Sequence, residues 1–323
     1  VKPGDFLLTN SMSFGKPYIL RTEGCIHDGW LVLSPRSGDV DADYFYHLLG
    51  SKAVYAEFER RASGATVKNL NIDLVRGVKV PVPPVHEQRR IAKILDKADE
   101  LRATRRAATA QLETLAQSIF LDIFGDPARN PKGWPVKRLE DEITSVRYGT
   151  GSPPPYVDDG VPFIRATNVK AGTISPKDLK HISPTDAARI DKCRVDAGNL
   201  IIVRSGVNTG DCAIVPSEYD GACAAFDLIV ELPWANAVFY TFLINSPHGK
   251  AHLEPLTRRA AQPHLNAEQV RSLRFISPEQ SAKRRFAALV GSINSQRARG
   301  DVHLRELDAL CAALQHSAFR GEL

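Results

Sequence analysis

The sequence predicts an α+β fold in which two mixed α/β domains alternate with two long antiparallel coiled-coil helices. Three observations carry this expectation. Residues 86–124 read as one uninterrupted amphipathic helix, residues 278–318 read as a second, and an internal duplication places a strand-rich segment ahead of each.

The first helix has apolar residues at Ile91, Ile94, Leu95, Ala98, Leu101, Ala108, Leu112, Leu115, Ile119 and Ile123, the three-then-four spacing of a single narrow seam. At a rise of roughly 1.5 Å per residue it extends nearly 60 Å, more than one small domain covers, so it needs a partner helix. Its end is marked by Gly125 followed by Asp126-Pro127, a left-handed cap and then a residue that cannot continue a helix. The second helix opens on Ser277 as the expected N-cap, with Pro278 at the first helical position and Gln280 closing a capping box. The side chains expected to pack the pair together are Ile91, Leu101, Leu112, Leu115 and Ile119 from the first helix, and Phe286, Ile293, Leu307 and Leu314 from the second.

The duplication is visible without gaps in its final stretch. Leu70, Asn71, Val75 and Arg76 recur as Leu265, Asn266, Val270 and Arg271. Upstream, GDFLLTNSMSFGKPYIL resembles GNLIIVRSGVNTGDCAIV, and downstream HEQRRIAKIL resembles PEQSAKRRFAAL. The expected division is therefore 1–84, a first domain; 85–124, a first helix; 125–277, a second domain; and 278–323, a second helix. Residues 134–197 of the second copy have no counterpart in the first, which either is truncated or draws that part from elsewhere. Within each copy, runs such as FLLTN, WLVL, LIIVRS and FDLIVEL read as short strands, and one helix is expected in each, around 44–60 and 235–253.

Composition sets the bounds. At 323 residues and 43% hydrophobic content the chain is ordinary globular protein of more than one domain. Five cysteines, Cys25, Cys193, Cys212, Cys223 and Cys311, lie far apart with no CxxC pair, which argues against a zinc ribbon and a disulfide framework and fits a reducing cytoplasm. The longest uncharged run, 232–249, contains two prolines and two asparagines and reads as a short buried helix with turns, so no membrane partner is expected. The net charge of +5 is spread evenly over the segments, so any basic surface must be made by folding.

Catalytic motifs are weak. Pro154-Pro155-Tyr156 resembles part of the tetrapeptide with which amino-methyltransferases hold a target amine, but Pro153 stands where a hydrogen-bonding side chain is required, and no glycine-rich cofactor loop precedes it. His248 and His252 have a metal-compatible spacing without a third ligand nearby. The chain reads as non-catalytic, with no cofactor, no catalytic residue and no metal site.

Polar loops between strands carry the better signal. The second copy offers Arg147, Tyr148, Thr150 and Ser152 in RYGTGSPPPY, Arg165, Thr167 and Asn168 after the strand PFI, and Arg204, Ser205, Asn208 and Thr209 in RSGVNTG; the first copy offers Asn10, Ser13 and Lys16. Arginine makes bidentate contacts to guanine and asparagine to adenine, while lysine and hydroxyl groups reach phosphates. For any one of these residues a solvated loop is an equal account. Polar loops at corresponding places in two copies are stronger evidence for double-stranded DNA as a partner.

Across VPVPPVHEQRRIAKILDKADELR, GTGSPPPY, GVPFIRATNV, GNLIIVRSGVNTG with CAIV, and LNAEQVRSLRFISPEQ, the chain resembles a specificity (S) subunit of a Type I restriction-modification system. The resemblance implies that both domains are target-recognition domains, the first of them N-terminally truncated, each reading one half of a split, asymmetric DNA site while the helices set the gap. It also implies that methylation and cleavage belong to modification (M) and restriction (R) subunits bound largely through the helices. B-DNA repeats about every 34 Å, so two readers on a rigid spacer address two half-sites in fixed phase. An enzyme acting on a base flips it into a pocket, and a partner must supply that pocket here. The competing expectation is a truncated, non-reading scaffold or regulatory protein that still binds modification subunits.

Overall fold

The structure is a computed structural model that describes residues 1–11, 14–35, 38–62, 69–257 and 264–323. It divides into two compact units, residues 1–110 with 298–323 and residues 111–297, so the division cuts both long helices instead of falling at their ends.

Unit 1 opens with β1 (Phe6–Thr9), β2 (Pro17–Ile19) and β3 (Trp30–Leu33), an antiparallel sheet in the order β2-β1-β3. Then come α1 (Ala42–Leu49), α2 (Lys52–Ala62), α3 (Ile72–Arg76) and the first part of α4 (Val85–Phe124). The single helix expected around 44–60 is two, because α1 ends at Gly50, whose N–H closes on the Tyr46 carbonyl at 3.1 Å. Asp41 and Asn71 cap α1 and α3 by accepting the N–H groups of Tyr44 and Leu74. The core gathers Phe6, Leu8, Tyr44, Leu48 and Phe58 against Ile91 and Leu95 of α4.

Unit 2 contains β4 (Val136–Arg138), β5 (Ser145–Tyr148), β6 (Tyr156–Val157), β7 (Val161–Ile164), β8 (Val169–Lys170), β9 (Thr173–Ile174), β10 (Lys180–Ile182), α5 (Pro184–Arg189), β11 (Leu200–Ile202), β12 (Cys212–Ile214), β13 (Cys223–Ala224) and β14 (Leu228–Glu231). It continues with α6 (Trp234–Asn245), α7 (Pro247–Thr257), α8 (Ala267–Ser272), β15 (Arg274–Ile276) and the start of α9 (Gln280–Arg320). The strands form one antiparallel sheet, β12-β11-β14-β5, one mixed sheet, β13-β7-β10-β6, and the pairs β15-β4 and β8-β9. Here too the one expected helix is two, separated at Ser246-Pro247, because proline has no N–H to carry the α6 ladder onward.

The ends of the long helices in unit 2 are held by an aromatic cluster. Phe124 packs edge-on to Phe239 and Phe286 at centroid distances of 4.7 and 5.3 Å, and Phe120 stacks on Phe239 at 5.7 Å. Beside them Lys283 is buried and bonds the Glu142 carboxylate at 2.7 Å, which also accepts the Ser277 hydroxyl at 2.5 Å. Ser277 is thereby spent on Glu142, and α9 starts at Gln280 instead of at Pro278 as expected. Gly125, at φ +77°, ends α4 in the left-handed conformation the sequence predicts.

The two helices run antiparallel within each unit. In unit 1 Arg102 of α4 meets Asp308 of α9 at 2.6 Å, and in unit 2 Phe120 meets Phe286. On α4 the inward heptad track is Ile91, Leu95, Ala98, Arg102, Arg105, Thr109, Leu112, Ala116, Ile119 and Ile123, every one buried or half-buried. On α9 it is Phe286, Val290, Ile293, Arg297, Gly300, Leu304, Leu307, Cys311, Leu314 and Ala318. Two of the expected packing residues are corrected. Leu101 and Leu115 are 47% and 46% exposed, because each stands one residue ahead of the track, about 100° around the helix from it. Ile91, Phe286 and Ile293 are buried, and Leu112, Ile119, Leu307 and Leu314 are half-buried, all on the track.

Candidate DNA interface

Four segments of unit 2 converge on Ala224–Asp227. The Ala225 N–H donates to the Ile164 carbonyl at 2.8 Å, tying in the strand that leads to Arg165. From the other side, the Gly149 N–H donates to the Asp227 carbonyl at 2.9 Å and the Thr150 N–H to the Ala224 carbonyl at 3.1 Å. The backbones cross so closely that a Cβ on Gly149 would sit 1.8 Å from the Ala225 carbonyl oxygen, so only glycine fits. The third segment is the β11–β12 loop with Arg204, and the fourth is His264–Ala267.

The crossing leaves two aromatic rings half in solvent, Tyr148 at 42% and Phe226 at 43%, with Arg204 over both. The guanidinium carbon lies 4.7 Å from the Tyr148 centroid and 4.2 Å from that of Phe226. Its Nη2 lies 2.5 Å from His264 Nε2, and the Tyr148 hydroxyl accepts the Ala267 N–H at 3.0 Å. The Arg204 backbone N–H donates to Asp227 Oδ1 at 3.2 Å. Asp227 Oδ2 and Arg204 Nε are buried without hydrogen-bond partners among the described residues. Burial pushes the Asp227 carboxyl up to about 6, against the opposing pull of the Arg204 N–H and charge. The result is a planar cation fixed in orientation, bounded by two ring faces and a buried carboxylate.

The β11–β12 loop is built for a tight turn. Thr209 donates to the Gly206 carbonyl through N–H at 3.1 Å and hydroxyl at 2.6 Å, and Asp211 N–H donates to the Asn208 carbonyl at 2.9 Å. Gly206 and Gly210 take φ of +96° and +83°. Ser205 bridges His264 through the backbone, and Asn208 and Thr209 stand half-buried along the loop. Across the 224–227 hub, Thr150 binds the Ser152 N–H and carbonyl, and Ser152 and Thr167 are exposed. Arg165 donates to the Asp178 carbonyl and carboxylate at 2.6 and 2.9 Å beside the Tyr156 ring.

Two expected contact residues face inward. Arg147 precedes Tyr148 on β5 and so points to the opposite side of the strand, where it donates to the Lys192 and Arg194 carbonyls, Asn199 and Glu231. Asn168 is fully buried, accepting the Arg165 N–H at 3.1 Å and donating to the Ser175 and Lys177 carbonyls. Both staple loops. Conversely, Phe226 and His264 belong to the convergence and were not among the sequence candidates. Phe226 heads the run FDLIVEL, which the sequence marks as a strand and not as part of a site.

Unit 1 repeats the frame around Asn10. The Leu70 N–H donates to the Asn10 carbonyl at 2.7 Å just as the Leu265 N–H donates to that of Arg204 at 2.8 Å, and Gly15 closes on Thr9 as Gly210 closes on Val203, both at 2.8 Å. Asn10 Nδ2 donates to the Asp28 carbonyl at 2.7 Å, Asn10 Oδ1 is buried without a partner among the described residues, and Lys16 is exposed. Ser13 lies outside the described residues. Among those residues no group of His, Cys, Asp and Glu could hold a metal ion, and no helix is long and apolar enough to cross a membrane.

Residues 1–114 match the family described as type I restriction modification DNA specificity domain. The MjaIX specificity subunit of Methanocaldococcus jannaschii is 28% identical over 187 residues, 52% of this chain and 43% of that protein. The EcoBI specificity subunit of Escherichia coli is 22% identical over 314 residues, 87% of this chain and 65% of that protein. Among solved structures, the Type I restriction-modification S subunit from M. genitalium has a TM-score of 0.61 over 99% of this chain and 83% of that one, at 14% identity. A chain from a complex of the type I R-M system has a TM-score of 0.57 over 100% and 83%, at 19% identity, a likeness of fold. Residues 1–114 thus match a Type I restriction-modification DNA specificity domain, and the rest of the chain is similar to curated specificity subunits of such systems. The match spans less than half the length of the first of these curated relatives and about two thirds of the second.

Proposed function

We propose that this chain is the sequence-reading subunit of a Type I restriction-modification complex: residues 1–84 and 125–277 are its target-recognition domains, 85–124 and 278–323 its spacer helices, and it performs no catalysis itself. Double-stranded DNA is the ligand, and methylation and cleavage belong to M and R subunits in the cytoplasm. The observation that carries the reading is Arg204, a planar donor fork held in one orientation by Tyr148 and Phe226 where four segments meet. Such a fork suits the O6 and N7 acceptors of guanine, and an immobilised fork forfeits little side-chain entropy on contact. Thr150, Ser152, Arg165, Thr167, Ser205, Asn208 and Thr209 surround it as further base and phosphate contacts. Leu101 and Leu310 in unit 1, and Leu115 and Leu289 in unit 2, are exposed and each sits one residue ahead of the inward track, giving each unit apolar positions suited to the modification subunits.

The test is to co-express the chain with a cognate modification subunit and map methylated bases across the host genome. A split motif is expected, and Arg204→Ala should erase the specificity of one half while leaving the other. If the complex forms and no site-specific methylation appears, the chain is a scaffold and the reading is overturned.

A further inference from the structure

In unit 2 the loop 204–209 leaves and rejoins its sheet at one point. The Val203 N–H donates to the Asp211 carbonyl and the Gly210 N–H to the Val203 carbonyl, both at 2.8 Å. The outgoing side is pinned to the segment after it, where the Leu265 N–H donates to the Arg204 carbonyl and Ser205 bridges His264. The returning side is pinned to α7, where Lys250 meets Asp211 at 2.6 Å and a Cβ on Gly210 would lie 2.8 Å from the Leu253 side chain. With Thr209 closed on the Gly206 carbonyl between these anchors, the backbone of the tip is fixed from both ends.

At the tip stands Val207. It is 105% exposed, whereas Trp234, the next most exposed large apolar side chain among the described residues, is at 56%. An isopropyl group left wholly in water contributes nothing to the core and gains on burial against any apolar surface. Valine, branched at Cβ, has little rotamer freedom to lose on such a contact. Around it Arg204, Ser205, Asn208 and Thr209 are polar and half-buried, so Val207 is the apolar point of a polar loop. Three residues of chain span at most about 11 Å, or about three base-pair steps of roughly 3.4 Å, which puts Val207 over the same half-site as Arg204. A fork that suits guanine O6 and N7 lies in the major groove, and the apolar group displayed there is the C5-methyl of thymine. Side chains that wedge base steps apart from the minor groove are Phe, Leu, Ile, Met or Pro.

We propose that Val207 is a thymine-reading residue, its isopropyl group packing on the C5-methyl of a thymine within about three base pairs of the guanine met by Arg204. This rests on the DNA reading of unit 2 and adds to it a contact that the hydrogen-bonding residues of the loop do not supply.

The test selects duplexes from a randomised pool with the full chain co-purified with its modification subunit, as wild type, Val207→Ala and Arg204→Ala. Each thymine of the selected motif is then replaced in turn by deoxyuridine, which removes only the methyl group. The wild type should enrich a thymine within about three base pairs of the position that Arg204→Ala relaxes, and Val207→Ala should relax that thymine alone. Deoxyuridine there should weaken wild-type binding about fourfold, the worth of one buried methyl group, and weaken Val207→Ala little or not at all. A motif that Val207→Ala leaves intact, or a deoxyuridine penalty that is absent or equal in wild type and variant, overturns the assignment while the DNA reading stands. So does loss of the modification subunit from Val207→Ala, which would make the tip a protein contact. If the wild type enriches no motif, the DNA reading fails and the assignment falls with it.

Discussion

On the proposed reading, Arg204 meets DNA as a side chain whose rotamer is already chosen. The rings of Tyr148 and Phe226 and the Nε2 of His264 hold its plane, so recognition requires displacing water and little else. Arg204→Ala should weaken binding to a cognate duplex by about 1–3 kcal/mol, ten- to a hundredfold, and flatten discrimination at one base pair. Arg204→Lys should fail to restore it, because an ammonium keeps the charge but loses the plane and the fork; titration of cognate and scrambled duplexes at fixed salt separates the two effects, and full rescue by lysine would mean the contact is to a phosphate. Asp227 makes a separable prediction. Its carboxyl is raised from 3.8 to about 6, so the folded unit takes up this proton more readily than the unfolded chain does. Its ionisation therefore opposes folding by an amount that is absent below pH 3.8, grows up to about 6 and is full above. Asp227→Asn should raise the stability of unit 2 by roughly 1–3 kcal/mol at pH 8 and leave it unchanged near pH 3.5. Denaturant melts at the two pH values check this, and an equal effect at both would remove burial as the cause. Part of this was legible in the sequence, since Tyr148, Thr150 and Arg204 stood out as polar loop residues. Arg147 and Tyr148 could have been separated too, because neighbours on a strand face opposite ways. Phe226 and His264 could not, as their meeting depends on chain crossings with no local sequence trace.

The paired helices show the same division between what pattern reveals and what it conceals. Their extent and the stop at Gly125 follow from spacing and cap chemistry. The choice of inward residues does not follow from counting leucines, because Arg102, Arg105, Thr109 and Arg297 occupy the track while Leu101 and Leu115 lie beside it. Polar residues on a coiled-coil track lower stability and fix register. Gly300 fits the same account, since a Cβ there would come 3.0 Å from the Thr109 hydroxyl, so this level is a close approach of the two backbones. The Arg102–Asp308 pair is half in solvent on both sides and contributes about 0.5 kcal/mol or less. Two substitutions separate the track from its flank. Phe286→Ala, in the aromatic cluster, should destabilise unit 2 by about 3–5 kcal/mol. Leu115→Asp should change it by no more than about 0.5 kcal/mol, while weakening capture of a modification subunit. A melt and a pull-down on each variant suffice, and a large loss of stability from Leu115→Asp would return that residue to the packing interface.

At the scale of the whole molecule the duplication is the fact from which most of the fold was legible. Repeated LN…VR motifs predicted two similar units, and the hydrogen bonds Leu70 to Asn10 and Leu265 to Arg204 are the same bond made twice. The doubled helices in each copy were not legible, because Gly50 and Ser246-Pro247 interrupt runs that are otherwise helical in composition. The repeated frame carries a different side chain at this position, asparagine in unit 1 and arginine in unit 2. On the proposed reading, Asn10→Arg should introduce a guanine preference into one half of the methylated motif without altering the other half, and an unchanged motif would mean position 10 is not read. The frame itself is fixed by main-chain bonds and by Gly15 and Gly210, which are indifferent to the letter displayed. On that reading it works like movable type: the slot that holds each character is cast once, in backbone, and the text can be reset one residue at a time without recasting the press.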